Sequence, residues 1–142
     1  MNDTFEISDF LPYLLNQAAD AAALEFQDYY KSRYGMLRTE WRVLFHLGHY
    51  GTMTAKDICA HARLHKTKVS RAVTALDTKR FLTRSILLQD RRHENLTLTK
   101  AGRRAFDDLA AEAQSFDAAI MEQFDNNERD TLRKCLRQLA KL

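Results

Sequence analysis

Six side chains between Lys66 and Thr74 can donate hydrogen bonds: Lys66, Thr67, Lys68, Ser70, Arg71 and Thr74. Three of them are cationic, and no Asp or Glu interrupts the run until Asp77. Val69, Ala72, Val73 and Leu76 lie among them at i, i+3, i+4 and i+7, which is one apolar stripe of a helix over about 65–79. A solvated amphipathic helix ordinarily mixes both charge signs on its outer face. A helix that buries one side and offers only donors on the other suits a groove of phosphates and base edges.

A second group of side chains with the same chemistry follows. The segments Phe81–Ile86 and Asn95–Leu98 read as strands, because Leu96 and Leu98 point one way and Thr97 the other. Arg84 sits on the first strand, and the polar turn between them carries Asp90, Arg91 and Arg92. A hairpin tipped with arginines can straddle a phosphate backbone and push a guanidinium into a minor groove. Asp90 is placed to pair with one arginine and hold its angle.

These groups need elements to position them. A helix beginning near Thr54 precedes the donor helix, with Thr54 and Asp57 as a capping box and Ile58, Cys59 and Ala62 facing inward. Arg63-Leu64 turns it into the next helix. Two short helices joined this way make a helix-turn-helix whose second member enters the major groove. Residues 54–99 therefore read as a winged helix-turn-helix, with Met53 as a candidate third strand.

The segment resembles the MarR family of bacterial transcriptional regulators. The matching run is Leu64-x4-Val69-Ser70-Arg71-x-Val73-x-x-Leu76, then Phe81-Leu82-x-Arg84, then Asp90-Arg91-Arg92-x3-Leu96-x-Leu98-Thr99-x-x-Gly102. Upstream, Thr39-Glu40-Trp41-Arg42-Val43-Leu44 resembles the start of the family's second helix. The resemblance implies a homodimer on a palindromic operator, a helix at 65–79 in the major groove and a wing arginine in the minor groove. It also implies release by a small aromatic or phenolic compound, with oxidation or metal as the alternative signal. Three positions depart from the pattern. Arg80 stands where glycine is frequent, so the turn there is expected to differ. Lys68 replaces a frequent Thr, and Ile86-Leu87-Leu88 is more apolar than the usual wing and is expected to pack on a neighbouring element or a partner subunit.

Composition bounds the rest. The chain has 142 residues, 45% hydrophobic, with four Gly and one Pro, enough for one mainly helical domain. Its net charge is +3, but residues 63–92 hold nine Lys or Arg against two Asp, a local +7 inside an otherwise acidic chain. No stretch is apolar enough to span a membrane and no secretory signal is visible, so a cytoplasmic protein is expected.

The fold expected is mainly α: a winged helix at about 36–99 with a small β-hairpin wing, flanked by dimerisation helices at 9–34 and 100–142, within one domain over 1–142. The first helix is expected from an Asp9 cap, with Pro12 in its first turn and Gly35 as its stop. The second is expected from a Thr39 cap, burying Trp41, Leu44, Phe45 and Gly48 and ending at Gly51. A long helix follows Thr99, with Leu109, Ala113, Phe116 and Ile120 as its seam. Asp125 and Glu128 are expected to cap a last helix striped by Leu132, Leu136 and Leu139. The helical ends cannot bury their faces on so small a core, so they are expected to intertwine with a second copy.

Other constellations are weaker. Cys59 and Cys135 fit no metal spacing and are expected as buried reduced thiols. His46 and His49 lie three apart and His61 and His65 four apart, but nothing completes either set as a metal site. There is no phosphate loop, nucleophile elbow or zinc-hydrolase motif, so neither catalysis nor a cofactor is expected. A protein-interaction adaptor using the helical ends is the rival class, and it has no need of an arginine-tipped hairpin. Tyr13, Tyr29, Arg42, Phe45 and His46 have the side chains for an effector pocket: aromatic walls and a polar anchor for an aromatic acid.

Overall fold

The computed structural model describes residues 4–90 and 92–142. A single 3-10 turn at Ile7–Asp9 leads into α1 (Leu11–Tyr34), followed by α2 (Arg38–Tyr50), β1 (Met53–Thr54), α3 (Ala55–Ala62) and α4 (Lys66–Thr78). Then come β2 (Leu82–Ile86), β3 (Glu94–Leu98), α5 (Lys100–Met121) and α6 (Asn126–Ala140). This is the mainly helical winged helix-turn-helix expected from the sequence. Two compact units divide the chain, one running to Ala110 and the other covering Ala111–Leu142. No described helix is long and apolar enough to cross a membrane.

In the first unit the stripe of α4 is fully buried: Val69, Ala72, Val73 and Leu76 pack with Ile58 of α3 and Val43, Leu44 and Leu47 of α2 among the buried residues. The three strands form an antiparallel sheet in the order β1-β3-β2. Met53 pairs with Leu96, and Leu82 with Leu98 through to Ile86 with Glu94. The sheet fixes the wing to the rim of this core through Met53, Leu82 and Leu96, all buried.

The helix ends follow local chemistry. The Thr54 hydroxyl accepts the Asp57 N–H and the Asp57 carboxylate accepts the Thr54 N–H, both at 3.1 Å, which fixes the start of α3. Those bonds hold the Asp57 carboxyl below its usual range. Gly35 ends α1 at φ 64°, a left-handed conformation that glycine takes without steric cost.

Two expected starts are displaced. Asp9 lies in the 3-10 turn, and α1 begins after Phe10, whose ring packs edge-on against Phe5 at 5.3 Å. Thr39 is not the cap of α2. The helix starts at Arg38, and the Leu37 N–H donates to the Glu40 carboxylate at 2.7 Å. Glu40 is itself buried and paired with Lys79 at 3.1 Å, so a distant lysine stabilises the acid that sets this end. The buried side of α2 is also rotated from the expected one. Glu40, Val43, Leu44 and Leu47 are covered, while Trp41, Phe45 and Gly48 are half-buried. Trp41 and Phe45 instead build an aromatic layer with Phe26 and Phe106.

Arg80 adopts the glycine conformation without glycine, at φ 62°. Its N–H donates to the Asp77 carbonyl and that of Phe81 to the Leu76 carbonyl, both at 2.9 Å, closing α4 as a Schellman turn. The turn expected to differ is therefore kept, and the side chain bears the strain. Thr99 locks it from the other side: its hydroxyl donates to the Arg80 carbonyl at 2.7 Å and its N–H to the Phe81 carbonyl at 3.0 Å. A Cβ on Gly102 would run into that same Phe81 carbonyl oxygen, so only glycine fits there.

In the second unit Asp125 and Glu128 form the expected capping box, with bonds of 2.8 and 3.1 Å. Along α6 Leu132 is half-buried and Leu136 and Leu139 are exposed. The cysteine expectation does not hold: Cys59 is half-buried and Cys135 exposed, both as free thiols. An apolar neighbour on the same helix says nothing of what covers the face.

Candidate nucleic-acid interface

The candidate surface is built on α4. His65 caps it, its Nδ1 accepting the Thr67 N–H at 3.2 Å. Lys66, Thr67, Lys68, Ser70, Arg71 and Thr74 are all exposed, with the buried stripe behind them. Thr67, Arg71 and Thr74 are spaced four and three apart and form the outermost line of the helix. The Thr74 hydroxyl donates to the Ser70 carbonyl at 3.1 Å, so it turns lone pairs rather than a free donor outward.

Lys66 and Ser70 form one wall of a cleft of about 510 Å³. Its other walls include Lys56 and Cys59 of α3, Arg84 of β2, Arg92 and His93 at the wing, and one acid, Glu94 of β3. Lys56 is the residue that sequence reasoning missed. It lies in the first turn of α3, outside the basic run, and only the fold brings it to the donor helix.

The two described wing arginines differ. Arg84 donates through Nε to Glu94 at 2.8 Å and lies 3.8 Å from Asp77, so its charge is largely compensated. Arg92 is held by Asp90, through Nε at 3.1 Å, Nη2 at 3.3 Å and its backbone N–H at 3.1 Å. The Arg92 side chain is nevertheless 87% exposed. Hydrogen bonds from its side chain and backbone keep the Asp90 carboxyl below the usual range. Asp90 thus sets the direction of a guanidinium without covering it, as its position in the sequence suggested. Arg91 lies outside the described residues.

The five effector candidates are scattered in role. Tyr13 is exposed on α1. Tyr29 donates its hydroxyl to Asp108 of α5 at 2.8 Å, and Tyr34 donates to the same carboxylate. Arg33 pairs with Asp108 at 3.0 Å, and these groups, the Tyr34 hydroxyl foremost, hold its carboxyl low. Arg42 donates to the Ala62 carbonyl at 2.8 Å and so satisfies the last turn of α3. Burial lowers its guanidinium pKa. His46 donates Nδ1–H to the Arg42 carbonyl at 2.6 Å, and Phe45 stacks on His49. The other pair of spaced histidines is similarly engaged: His61 packs on Tyr50, and His65 caps α4. No group of three or more His, Cys, Asp or Glu among the described residues is arranged to hold a metal.

Comparison with known proteins reaches the same region. Residues 34–93 match the MarR family. The chain is similar to the HTH-type transcriptional regulator YwoH of Bacillus subtilis, 21% identical over 124 residues, covering 87% of this chain and 89% of that protein. Among solved structures, it superposes on BpsR of Bordetella bronchiseptica, whose DNA binding is regulated by 6-hydroxynicotinic acid. The TM-score is 0.86 at 20% identity, over 98% of this chain and 99% of that one. A MarR-family transcriptional regulator of Silicibacter pomeroyi gives a TM-score of 0.83 at 24% identity, over 98% of each chain. The winged helix therefore matches the MarR family over residues 34–93, and the fold of these structures is shared across nearly the whole chain.

Proposed function

We propose that this protein is a transcriptional regulator of the MarR family, a repressor that binds a palindromic operator as a homodimer and releases it when a small aromatic or phenolic compound binds. The observation that carries the DNA-binding part is the exposed face of α4. Six polar side chains without an acid among them stand beside a cleft with Lys56, Arg92 and the Arg84–Glu94 pair on its other walls. Thr67, Arg71 and Thr74 read base edges in the major groove. Lys66, Lys68 and Ser70 grip phosphates, and Arg84, Asp90, Arg91 and Arg92 make the wing that reaches the minor groove.

One winged helix makes few base contacts. Two copies related by a two-fold axis double them and set the recognition helices about 34 Å apart. The residues at 9–34 and 100–142 supply the pairing surfaces within one functional module. Support comes from apolar side chains left exposed: Leu11, Leu14 and Leu24 on α1, and Leu136 and Leu139 on α6. A cytoplasmic location goes with a chromosomal target. For the effector, BpsR supplies the chemistry by analogy, a hydroxylated aromatic acid. We assign its recognition to Tyr13, Tyr29, Arg42, Phe45 and His46. Binding at Arg42 would draw the guanidinium from the Ala62 carbonyl and loosen the α3–α4 turn.

A gel-mobility titration tests the core of this reading, using the promoter duplex adjoining the gene. Arg71→Ala should cost about 1–3 kcal/mol on the operator and little on random duplex, whereas Arg92→Ala should weaken both to a similar extent. Unchanged titrations for both variants would remove α4 and the wing as the interface.

A further inference from the structure

We propose that Ile86 and Leu88 form an apolar wedge that enters the minor groove beside Arg92 and bends the duplex there. The inference rests on the DNA-binding reading above and adds a contact of a different kind.

Side chains two apart on a strand share a face, so Leu82, Arg84 and Ile86 point the same way along β2. Leu82 is buried at the root of the hairpin, Arg84 lines the cleft, and Ile86 comes next, 61% exposed opposite Glu94. Two residues further, Leu88 is 94% exposed. Of the two coverings expected for this apolar segment, a neighbouring element or a partner subunit, the first is not met for either residue. The loop is nonetheless fastened. The Leu87 N–H donates to the His93 carbonyl and the His93 N–H to the Asp90 carbonyl, each at 3.1 Å. Two aliphatic side chains are thus held out on a shaped tip.

The charges around them name the occupant. Arg92 shares the tip, and Lys56 and Lys66 line the cleft below, where Arg84 is paired with Glu94. A partner must offer anionic rims with an apolar floor between them. The minor groove takes that form when a base step is parted, with two phosphate rows flanking apolar sugar walls and the uncovered base faces. Proteins that bind there combine basic side chains with Leu or Ile wedges, which part a base step and kink the duplex. Pyrimidine–purine steps yield most easily, so such a step is expected under the tip.

The test uses the full chain and a duplex that the wild-type protein selects from a randomised pool, labelled with a dye at each end. Replacing both residues (Ile86→Ala with Leu88→Ala) should reduce the bend seen by energy transfer and weaken binding about three- to tenfold. An apolar contact releases no counterions, so the slope of log K against log salt should stay at the wild-type value. Arg92→Ala should instead lower that slope by about one. Both replaced side chains are exposed, so the melting curve should be unchanged and serves as the folding control. An unchanged bend, with or without loss of affinity, overturns the wedge. So does a fall in oligomeric mass at matched concentration, which would make the tip a subunit contact. If the wild-type chain selects no duplex, the DNA-binding reading falls as well, a result distinct from wild-type binding with an inert tip.

Discussion

α4 and α6 are helices of similar length, 13 and 15 residues, and each carries a regular apolar stripe. In α4 the stripe is closed off by α2, α3 and the sheet, and Val69, Ala72, Val73 and Leu76 are all buried. In α6 Leu136 and Leu139 are 41% and 50% exposed. The stripe of one helix is fully covered, and that of the other is left partly exposed. Periodicity identifies the face that must be covered, but it does not say which chain covers it.

The largest effect should come from testing that contrast directly. Leu76→Ala empties a fully buried site and should cost about 2–5 kcal/mol in urea denaturation at any protein concentration. Leu139→Ala should cost no more than about 0.5 kcal/mol in dilute protein. Its cost should grow as the chain is concentrated, because pairing stabilises the folded state by mass action. If Leu139→Ala is as damaging as Leu76→Ala at every concentration, α6 is completed within its own chain and the contrast is lost.

The same contrast explains which parts of the fold were legible in the sequence. Features made by residues a few positions apart could be read: the Thr54–Asp57 and Asp125–Glu128 boxes, the stop at Gly35, the α4 stripe and the Asp90–Arg92 pair. Features set by distant residues could not. Nothing near Glu40 in the sequence points to Lys79, and the acid that this lysine holds sets the start of α2 at Arg38 rather than after a Thr39 cap. Trp41 reads as a core residue until Phe26 and Phe106 are seen to form a layer on the flank of α2. In the candidate site, α4 and the wing tip were legible because each is local. Lys56 was not, and neither was the compensation of Arg84 by Glu94 and Asp77, because both depend on how the wing folds back.

A smaller effect is expected at the junction of α4 and the wing, where α4 is closed at a strained residue. Arg80→Gly relieves a left-handed conformation that costs a side-chain-bearing residue about 1–2 kcal/mol. Glycine's extra freedom in the unfolded chain takes back about 0.4–1 kcal/mol. The net should be a gain of about 0.5–1 kcal/mol in thermal or urea melts. Arg80→Ala is the control: it removes the charge but keeps the strain, and should bring no such gain. Equal stability for the glycine and alanine variants would show that the conformation is unstrained.

The smallest effect sharpens the comparison within α1. Phe26 and Tyr30 are buried near its end, whereas Leu11, Leu14 and Leu24 are exposed. The finished end is held to α5 by Asp108, which accepts hydrogen bonds from Tyr29 and Tyr34 and pairs with Arg33. These partners depress the carboxyl below its ordinary value of 3.8, the Tyr34 bond most of all. A carboxyl depressed in the folded state binds fewer protons there than in the unfolded chain. Its contribution is therefore complete at neutral pH and is lost as pH falls through the ordinary carboxylate range to the folded value. Asp108→Asn removes the titration and keeps an acceptor oxygen. The stability difference between wild type and Asp108→Asn should be constant above about pH 6 and shrink steadily towards pH 3. Asp57 and Asp90, also depressed, titrate in both proteins and cancel from the difference. A difference that stays flat across that window would mean that neutral hydrogen bonding alone holds α1 to α5, with the charge of Asp108 contributing nothing.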